Sequence, residues 1–96
     1  MVMYNPCHPG EILREDFLKE LNLTQKDTAI ALGITRKTLS KIINGRGAIT
    51  PEMAVRLELV FNKPAAQWLR LQNAYDLSQL EVKKEDIAHE IHALAA

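Results

Sequence analysis

The amino-acid sequence predicts an all-α fold in one small domain. Apolar residues recur every three or four positions in several segments, which is the spacing of one face of a helix. Residues that favour helix starts and ends stand at the borders of these segments, and no segment reads as a strand. The chain has 96 residues, of which 47% are hydrophobic, and this is sufficient for one folded domain. We therefore expect short helices joined by short loops.

The first predicted helix runs from Pro9 or Gly10 to Leu21. Leu13, Phe17 and Leu21 repeat every four positions, so they mark the side of this helix that faces the core. The opposite side is polar and carries five charged residues: Glu11, Arg14, Glu15, Lys19 and Glu20.

Residues 24–46 are the most informative segment, because they predict two helices joined by a tight turn. Thr24 is a favourable N-cap, since its hydroxyl can accept a hydrogen bond from an amide at the helix start, and Thr35 caps the second helix in the same way. Gly33 ends the first helix, because glycine adopts the left-handed conformation without a Cβ penalty. Asn44 marks the end of the second helix. This order is that of a helix-turn-helix.

Three more helices are predicted after this motif. Thr50 caps the fourth helix and Pro51 takes its first position, where no amide donor is needed. The fifth helix is expected to start at Pro64, with Lys63 in the cap position. A link is predicted at residues 78–83 and a last helix at residues 84–94. The chain is therefore expected to divide into a helix-turn-helix domain of residues 1–78 and a C-terminal helical extension of residues 79–96.

Positive charge is concentrated on the second helix of the motif and the loop after it. The segment between Asp27 and Glu52 has four basic residues and no acid, although the whole chain has 12 of each. Such a stripe neutralises phosphates, and a helix fits the major groove of DNA. The pattern favours DNA binding over the alternative of a solvated helix face. The outward residues are Arg36, Lys37, Ser40 and Lys41 on the helix, Thr38 at its margin and Arg46 in the loop.

Other kinds of site have little support in the sequence. Cys7 is the only cysteine, so it forms no internal disulfide, and it has no obvious activating partner. His89 and His92 lie three positions apart but lack the further ligands that zinc requires. With no assembled catalytic set, we expect no enzyme and no cofactor. No membrane-length apolar run or signal peptide is visible, so we expect a cytoplasmic protein without a membrane partner.

Several segments flank the motif in a specific order: His8–Leu18, Ile43–Arg46, Ile49–Leu57 and Trp68–Leu77. Together with the helix-turn-helix they resemble the HigA-type antitoxins, or addiction-module antidotes, within the Cro/CI-type (XRE) repressors. The resemblance covers about residues 5–80.

The resemblance implies a five-helix, lambda-repressor-like DNA-binding domain that forms a homodimer and represses its own promoter at a palindromic operator. It also implies a protein partner, a co-encoded HigB/RelE-like toxin that cleaves mRNA and that the antitoxin silences. Two alternatives stay open. One is a stand-alone prophage-type regulator without a toxin, and the other is a protein-binding module that no longer reads DNA.

Positions of DNA contact carry over residue by residue from the resemblance. Base-reading positions are occupied by Arg36, Lys37 and Lys41. Phosphate contacts are implied for Gln25, Thr35, Asn44 and Arg46, with Thr38 and Ser40 as weaker candidates. On the fifth helix, the apolar side predicts a dimer contact at Trp68, Leu71 and Tyr75.

Overall fold

The computed structural model describes residues 6–92 and Leu94, and every regular element in them is a helix. The prediction of an all-α fold is confirmed, because the periodic segments form helices with the expected caps. The elements in chain order are α1 (Pro9–Ile12), which continues directly into a π-helical segment (Leu13–Lys19), α2 (Gln25–Leu32), α3 (Arg36–Ile43), α4 (Pro51–Phe61), α5 (Ala65–Glu81) and α6 (Lys84–Glu90).

The first helix contains a π-helical segment that the sequence pattern did not predict. A π-helix pairs residues five apart, and Leu13 and Leu18 are accordingly both buried, with 0% and 5% of their surface exposed. The segment ends at Lys19, before the predicted end at Leu21. Leu21 is 57% exposed, so its assignment to the core side was wrong. The reason is the π-helical register of Leu13–Lys19, in which residues five apart share one side, so a spacing of four no longer keeps Leu21 on the core side.

The start of α5 differs from the prediction because a distant side chain caps it. Pro64, rather than Lys63, occupies the N-cap position, and its own side chain makes no capping bond. Glu58 on α4 supplies the missing acceptor, since its Oε1 accepts from the Ala65 N–H at 2.7 Å. A carboxylate at a helix N-terminus also favours the helix dipole. The boundary therefore depends on packing between α4 and α5.

The predicted link at residues 78–83 is wrong, because α5 continues to Glu81. Leucine, glutamine and glutamate all have good helix propensity, so the polar composition of this stretch does not break the helix. Residues 82–83 alone separate α5 from α6. That last helix ends at Glu90, short of the predicted end at residue 94, and residue 93 lies outside the described part of the chain.

The hydrophobic core lies behind α3 and is shared by all the main helices. Leu13 of the first helix, Leu39 of α3 and Leu57 of α4 are each 0% exposed and belong to one apolar cluster. Because this cluster fixes the inner side of α3, it also fixes which residues of α3 face solvent.

Trp68 belongs to the same core, which corrects one of the predicted dimer contacts. Its side chain is 0% exposed, and its ring packs on Phe17 with 5.6 Å between ring centroids. Phe17 in turn packs on Phe61 at 5.1 Å. A side chain without exposed surface cannot contact a second copy, so the dimer assignment of Trp68 was wrong. Leu71 and Tyr75 are half-buried and keep some exposed surface.

The C-terminal helices project from this core. The molecule measures 55 × 24 × 23 Å along its principal axes, and every residue from 79 to 92 is exposed. Helix α6 buries no residue against its own chain. None of the helices in the described part of the chain combines the length and the apolar character that a membrane span requires.

Candidate nucleic-acid interface

Helix α3 presents one apolar face and one basic face. Leu39, Ile42 and Ile43 are buried, at 0 to 3% exposure. Because these residues take up the inner side, the charged residues point outward, as the sequence analysis predicted. The residues on the outer side are Arg36, Lys37, Thr38 and Lys41, all exposed, and Ser40, half-buried.

The N-terminus of α3 is capped within the motif. Thr35 Oγ1 accepts from the Thr38 N–H at 3.1 Å, and the Thr35 hydroxyl donates to Thr38 Oγ1 at 2.9 Å. Thr38 Oγ1 is thus an acceptor within the motif, and this bond does not use its own O–H. Thr35 and the first turn of α3 stand at the positive end of the helix dipole, where a phosphate is stabilised.

The turn between α2 and α3 is held by α4. Gly33 has φ of 71°, in the left-handed region that favours glycine. Arg56 on α4 donates from Nη1 to the Leu32 carbonyl at 2.9 Å, so it satisfies a carbonyl left free at the end of α2. Its Nη2 also pairs with Glu52 at 3.1 Å. Sequence reasoning missed Arg56, although the Glu52–Arg56 spacing of four was a readable helical ion pair.

Helix α2, the first helix of the motif, begins with an exposed turn. Thr24 Oγ1 accepts from the Asp27 N–H at 3.0 Å, which confirms the predicted cap. Gln25 follows and is exposed. Gln25 and Thr35 thus both lie at the start of a helix of the motif.

The loop after α3 carries the remaining predicted contacts. Asn44 donates from Nδ2 to Ser40 Oγ at 3.2 Å, so these two side chains are tied to each other. Gly45 has φ of 74°, and the Arg46 N–H donates to the Lys41 carbonyl at 2.8 Å. The loop therefore continues directly from the last turn of α3, with the Arg46 side chain exposed.

Within residues 6–92, the basic residues of α3 and of the loop after it have no acidic partner at ion-pair distance. Among the described residues, the ion pairs involve Arg14, Lys19, Arg56 and Lys84. None involves the basic residues of the face. This surface is therefore positively charged, although the chain as a whole has a formal net charge of zero. The basic residues without an ion pair are Arg36, Lys37, Lys41 and Arg46.

His8, in the segment before α1, also contacts the loop that follows α3. Its Nδ1 accepts from the Gly10 N–H at 2.9 Å, which caps α1, and its ring meets the Tyr75 ring edge-on with 4.8 Å between centroids. The ring is 8% exposed. Burial lowers the pKa of His8 below its ordinary value of 6.5, and the charge of Asp76 and the backbone of Gly47 oppose this only in part.

Folding stability should therefore fall when His8 becomes protonated. The pKa in the folded protein is below the unfolded value, so the stabilisation is complete above about pH 6.5 and is lost as the pH falls through the folded pKa. Protonation also removes the Nδ1 acceptor that caps α1. We expect a lower melting temperature at pH 5 than at pH 7.5, and a smaller difference in His8→Asn, which keeps a capping acceptor. An equal pH dependence in both proteins would contradict this assignment.

The helix-turn-helix family matches residues 15–68, more than half of the chain. Virulence-associated protein A of Dichelobacter nodosus is 46% identical over 79 residues, which are 81% of this chain and 78% of that protein. The solved structure of Pseudomonas aeruginosa antitoxin HigA with the higBA promoter has a TM-score of 0.84 at 36% identity, over 95% of this chain and 100% of that one. This chain belongs to the HigA-type helix-turn-helix family.

The family assignment confirms the resemblance found in the sequence. A second HigA-type structure, antitoxin GraA in complex with its operator, has a TM-score of 0.83 at 38% identity, over 96% of this chain and 94% of that one. The HigA-type fold is that of a DNA-binding regulator, so the prediction that the chain is not an enzyme is confirmed. Within the described residues, no group of three or more His, Cys, Asp or Glu side chains is placed to hold a metal ion.

Proposed function

We propose that this HigA-type protein is a sequence-specific transcriptional repressor of its own operon and the antitoxin of a co-encoded toxin. One observation carries the proposal: α3 has an exposed face of unpaired basic side chains, on a helix whose inner side is fixed by the core. Two solved relatives of the same fold, each named an antitoxin, were captured with promoter or operator DNA.

In the proposed complex, α3 lies in the major groove. The bases of DNA are read by Arg36, Lys37 and Lys41, since basic side chains on an exposed helix face can donate to guanine O6 and N7. The phosphates are contacted by Gln25, Thr35, Asn44 and Arg46. Thr38 and Ser40 are the weaker candidates. Their side-chain oxygens accept from Thr35 and Asn44 at 2.9 and 3.2 Å, which leaves their O–H groups to donate to a phosphate.

The proposed operator-binding unit is a homodimer formed by the projecting C-terminal helices. Leu77, Leu80 and Val82 near the end of α5 are 65%, 48% and 85% exposed. Ile87 and Ile91, four residues apart, are 42% and 66% exposed. A seven-residue helix such as α6 is marginal in water without packing, so this apolar surface needs cover. A second copy provides it by symmetry, and half-site centres then lie about 10 base pairs apart or a multiple of that.

The antitoxin role rests on the named function of the relatives. The proposed partner is a RelE-like, mRNA-cleaving toxin encoded next to this chain, and binding to the antitoxin silences it. An acidic surface is available for a basic partner, because the outer side of the first helix is rich in carboxylates, Glu11 and Asp16 among them. The proposal includes a location in the bacterial cytoplasm, where DNA and mRNA are found together.

The proposal is tested by titrating the purified protein into a fluorescent duplex of the DNA upstream of its own reading frame. A scrambled duplex at the same salt is the control, since non-specific binding varies steeply with salt. We expect tighter binding to the upstream duplex. Leu80→Asp should yield monomers in sedimentation and weaker binding, because it puts a charge into the proposed apolar dimer surface.

A second arm tests the antitoxin role by co-expression with the product of the adjacent reading frame. Co-purification, together with relief of growth arrest, is the expected result. Specific DNA binding without such a partner would identify a stand-alone regulator. Binding of the partner without specific DNA binding would identify a protein-binding module.

A further inference from the structure

A buried glutamine on α5 holds the loop that follows the recognition helix α3. Gln72 is 6% exposed, and its Oε1 accepts from the Ile49 N–H at 2.8 Å. Its Nε2 donates to Asp76 Oδ1 at 2.9 Å. The two partners fix the orientation of the amide, because a backbone N–H requires the oxygen and a carboxylate requires the nitrogen. Gln72 therefore satisfies a backbone donor 23 residues away that no element of the helix-turn-helix satisfies.

The loop of residues 44–50 lies between two anchors. At its start, the N–H groups of Arg46 and Gly47 donate to the Lys41 carbonyl, at 2.8 and 3.0 Å, so its geometry is continuous with α3. At its end, Ile49 is 2% exposed and is tied to Gln72. The exposed side chain of Arg46 stands between these fixed points. A change at Gln72 therefore reaches Arg46 through the backbone of five residues or fewer.

We propose that Gln72 is a positioning residue for operator binding, which holds loop 44–50 so that Arg46 meets a phosphate in register with α3. The proposal rests on the DNA-binding function proposed above. It adds a connection between two parts of that function, because α5 continues from Gln72 and Asp76 into the apolar surface at Leu77 and Leu80. The helix that would be fixed by dimerisation is thus the helix that holds the DNA-contacting loop.

The first test is Gln72→Leu, which keeps similar volume and removes both hydrogen-bonding groups. We expect operator affinity to fall about fivefold, the equivalent of one net hydrogen bond. The salt dependence of binding should also weaken, by about 0.9 in the slope of log K against log salt, if one phosphate contact is lost. A merely structural role would lower the melting temperature and leave the slope of the folded protein unchanged.

A polarity exchange keeps the test valid even where Gln72→Leu does not fold. Gln72→Glu retains an acceptor for the Ile49 N–H but sets two carboxylates beside each other, so it should weaken operator binding. Adding Asp76→Asn restores a donor opposite an acceptor and leaves the net charge equal to that of the natural protein. We expect this double variant to recover operator affinity and salt slope towards the natural values. No difference between Gln72→Glu and the double variant would overturn the proposal.

A double-mutant cycle identifies the residue through which Gln72 acts. In the Arg46→Ala background, Gln72→Leu should cost little further affinity, because the contact it positions is already gone. In the Lys37→Ala background, Gln72→Leu should still lower operator affinity by about fivefold. Equal costs in both backgrounds would overturn the assignment to Arg46. If the natural protein shows no specific operator binding, the proposed function itself fails, and that outcome is distinct from specific binding that Gln72 variants leave unchanged.

Discussion

Gly10→Ala is expected to lower the free energy of unfolding by about 3 kcal/mol or more, as severe overpacking against a backbone does. A Cβ at this position would overlap the carbonyl oxygen of Ile42 and lie 2.6 Å from its carbonyl carbon. These are backbone atoms of α3, so no side-chain rotation relieves the overlap, and the two helices must separate. Helix propensity alone predicts the opposite sign, because alanine is favoured over glycine in a helix by about 1 kcal/mol.

Urea denaturation followed by circular dichroism measures this effect. The matched control is Gly47→Ala, where the nearest atom to a new Cβ is Lys41 Cβ at 3.3 Å, so a shift of a few tenths of an ångström is sufficient. We expect a change of less than about 1 kcal/mol in the control. Equal stability of Gly10→Ala and the natural protein would show that the contact between α1 and α3 is looser than the structure has it.

Lys37→Ala combined with Lys41→Ala is expected to weaken operator binding by about thirtyfold or more, since each lost contact to a base costs about 1 to 3 kcal/mol. Folding stability should change by less than about 0.5 kcal/mol per residue, because both side chains are exposed and neither is in a described ion pair. Fluorescence anisotropy on operator and scrambled duplexes at one salt concentration measures the loss.

The control is Lys19→Ala combined with Arg70→Ala, which removes the same charge from exposed residues outside both the basic face and the proposed dimer surface. This variant should bind the operator nearly as the natural protein does. Loss of affinity for the operator and the scrambled duplex by the same factor would assign Lys37 and Lys41 to phosphates instead of bases. Unchanged affinity for both duplexes would remove α3 from the DNA interface.

The helix-turn-helix was predictable because its signals are local. Thr24, Thr35 and Thr50 each accept from an N–H three residues ahead, and a bond of that reach is readable in the sequence. The left-handed Gly33 is likewise a property of one residue. The outward position of the basic side chains on α3 followed from the spacing of the buried residues on the same helix. The family resemblance then supplied the assignment of roles, which spacing alone does not give.

The positions that were missed depend on partners far along the chain. Trp68 looked like a dimer contact, because helical periodicity shows that a side chain is buried without showing whether its own core or a second copy covers it. The cap of α5 by Glu58 and the hold of Gln72 on Ile49 span 7 and 23 residues. No pattern within a short stretch of sequence predicts a contact between residues so far apart.

Local signals in the sequence predicted the class of fold, the helix-turn-helix, its caps and the basic side of α3, since each follows from a residue's own backbone preference or from periodicity within one helix. Tertiary packing alone shows which apolar residues fill the core and which remain exposed on α5 and α6. The same packing shows that Gly10 must lack a side chain and that Gln72 holds the loop after α3. Those features arise where segments distant in sequence meet, and packing between them, not local preference, sets their energy.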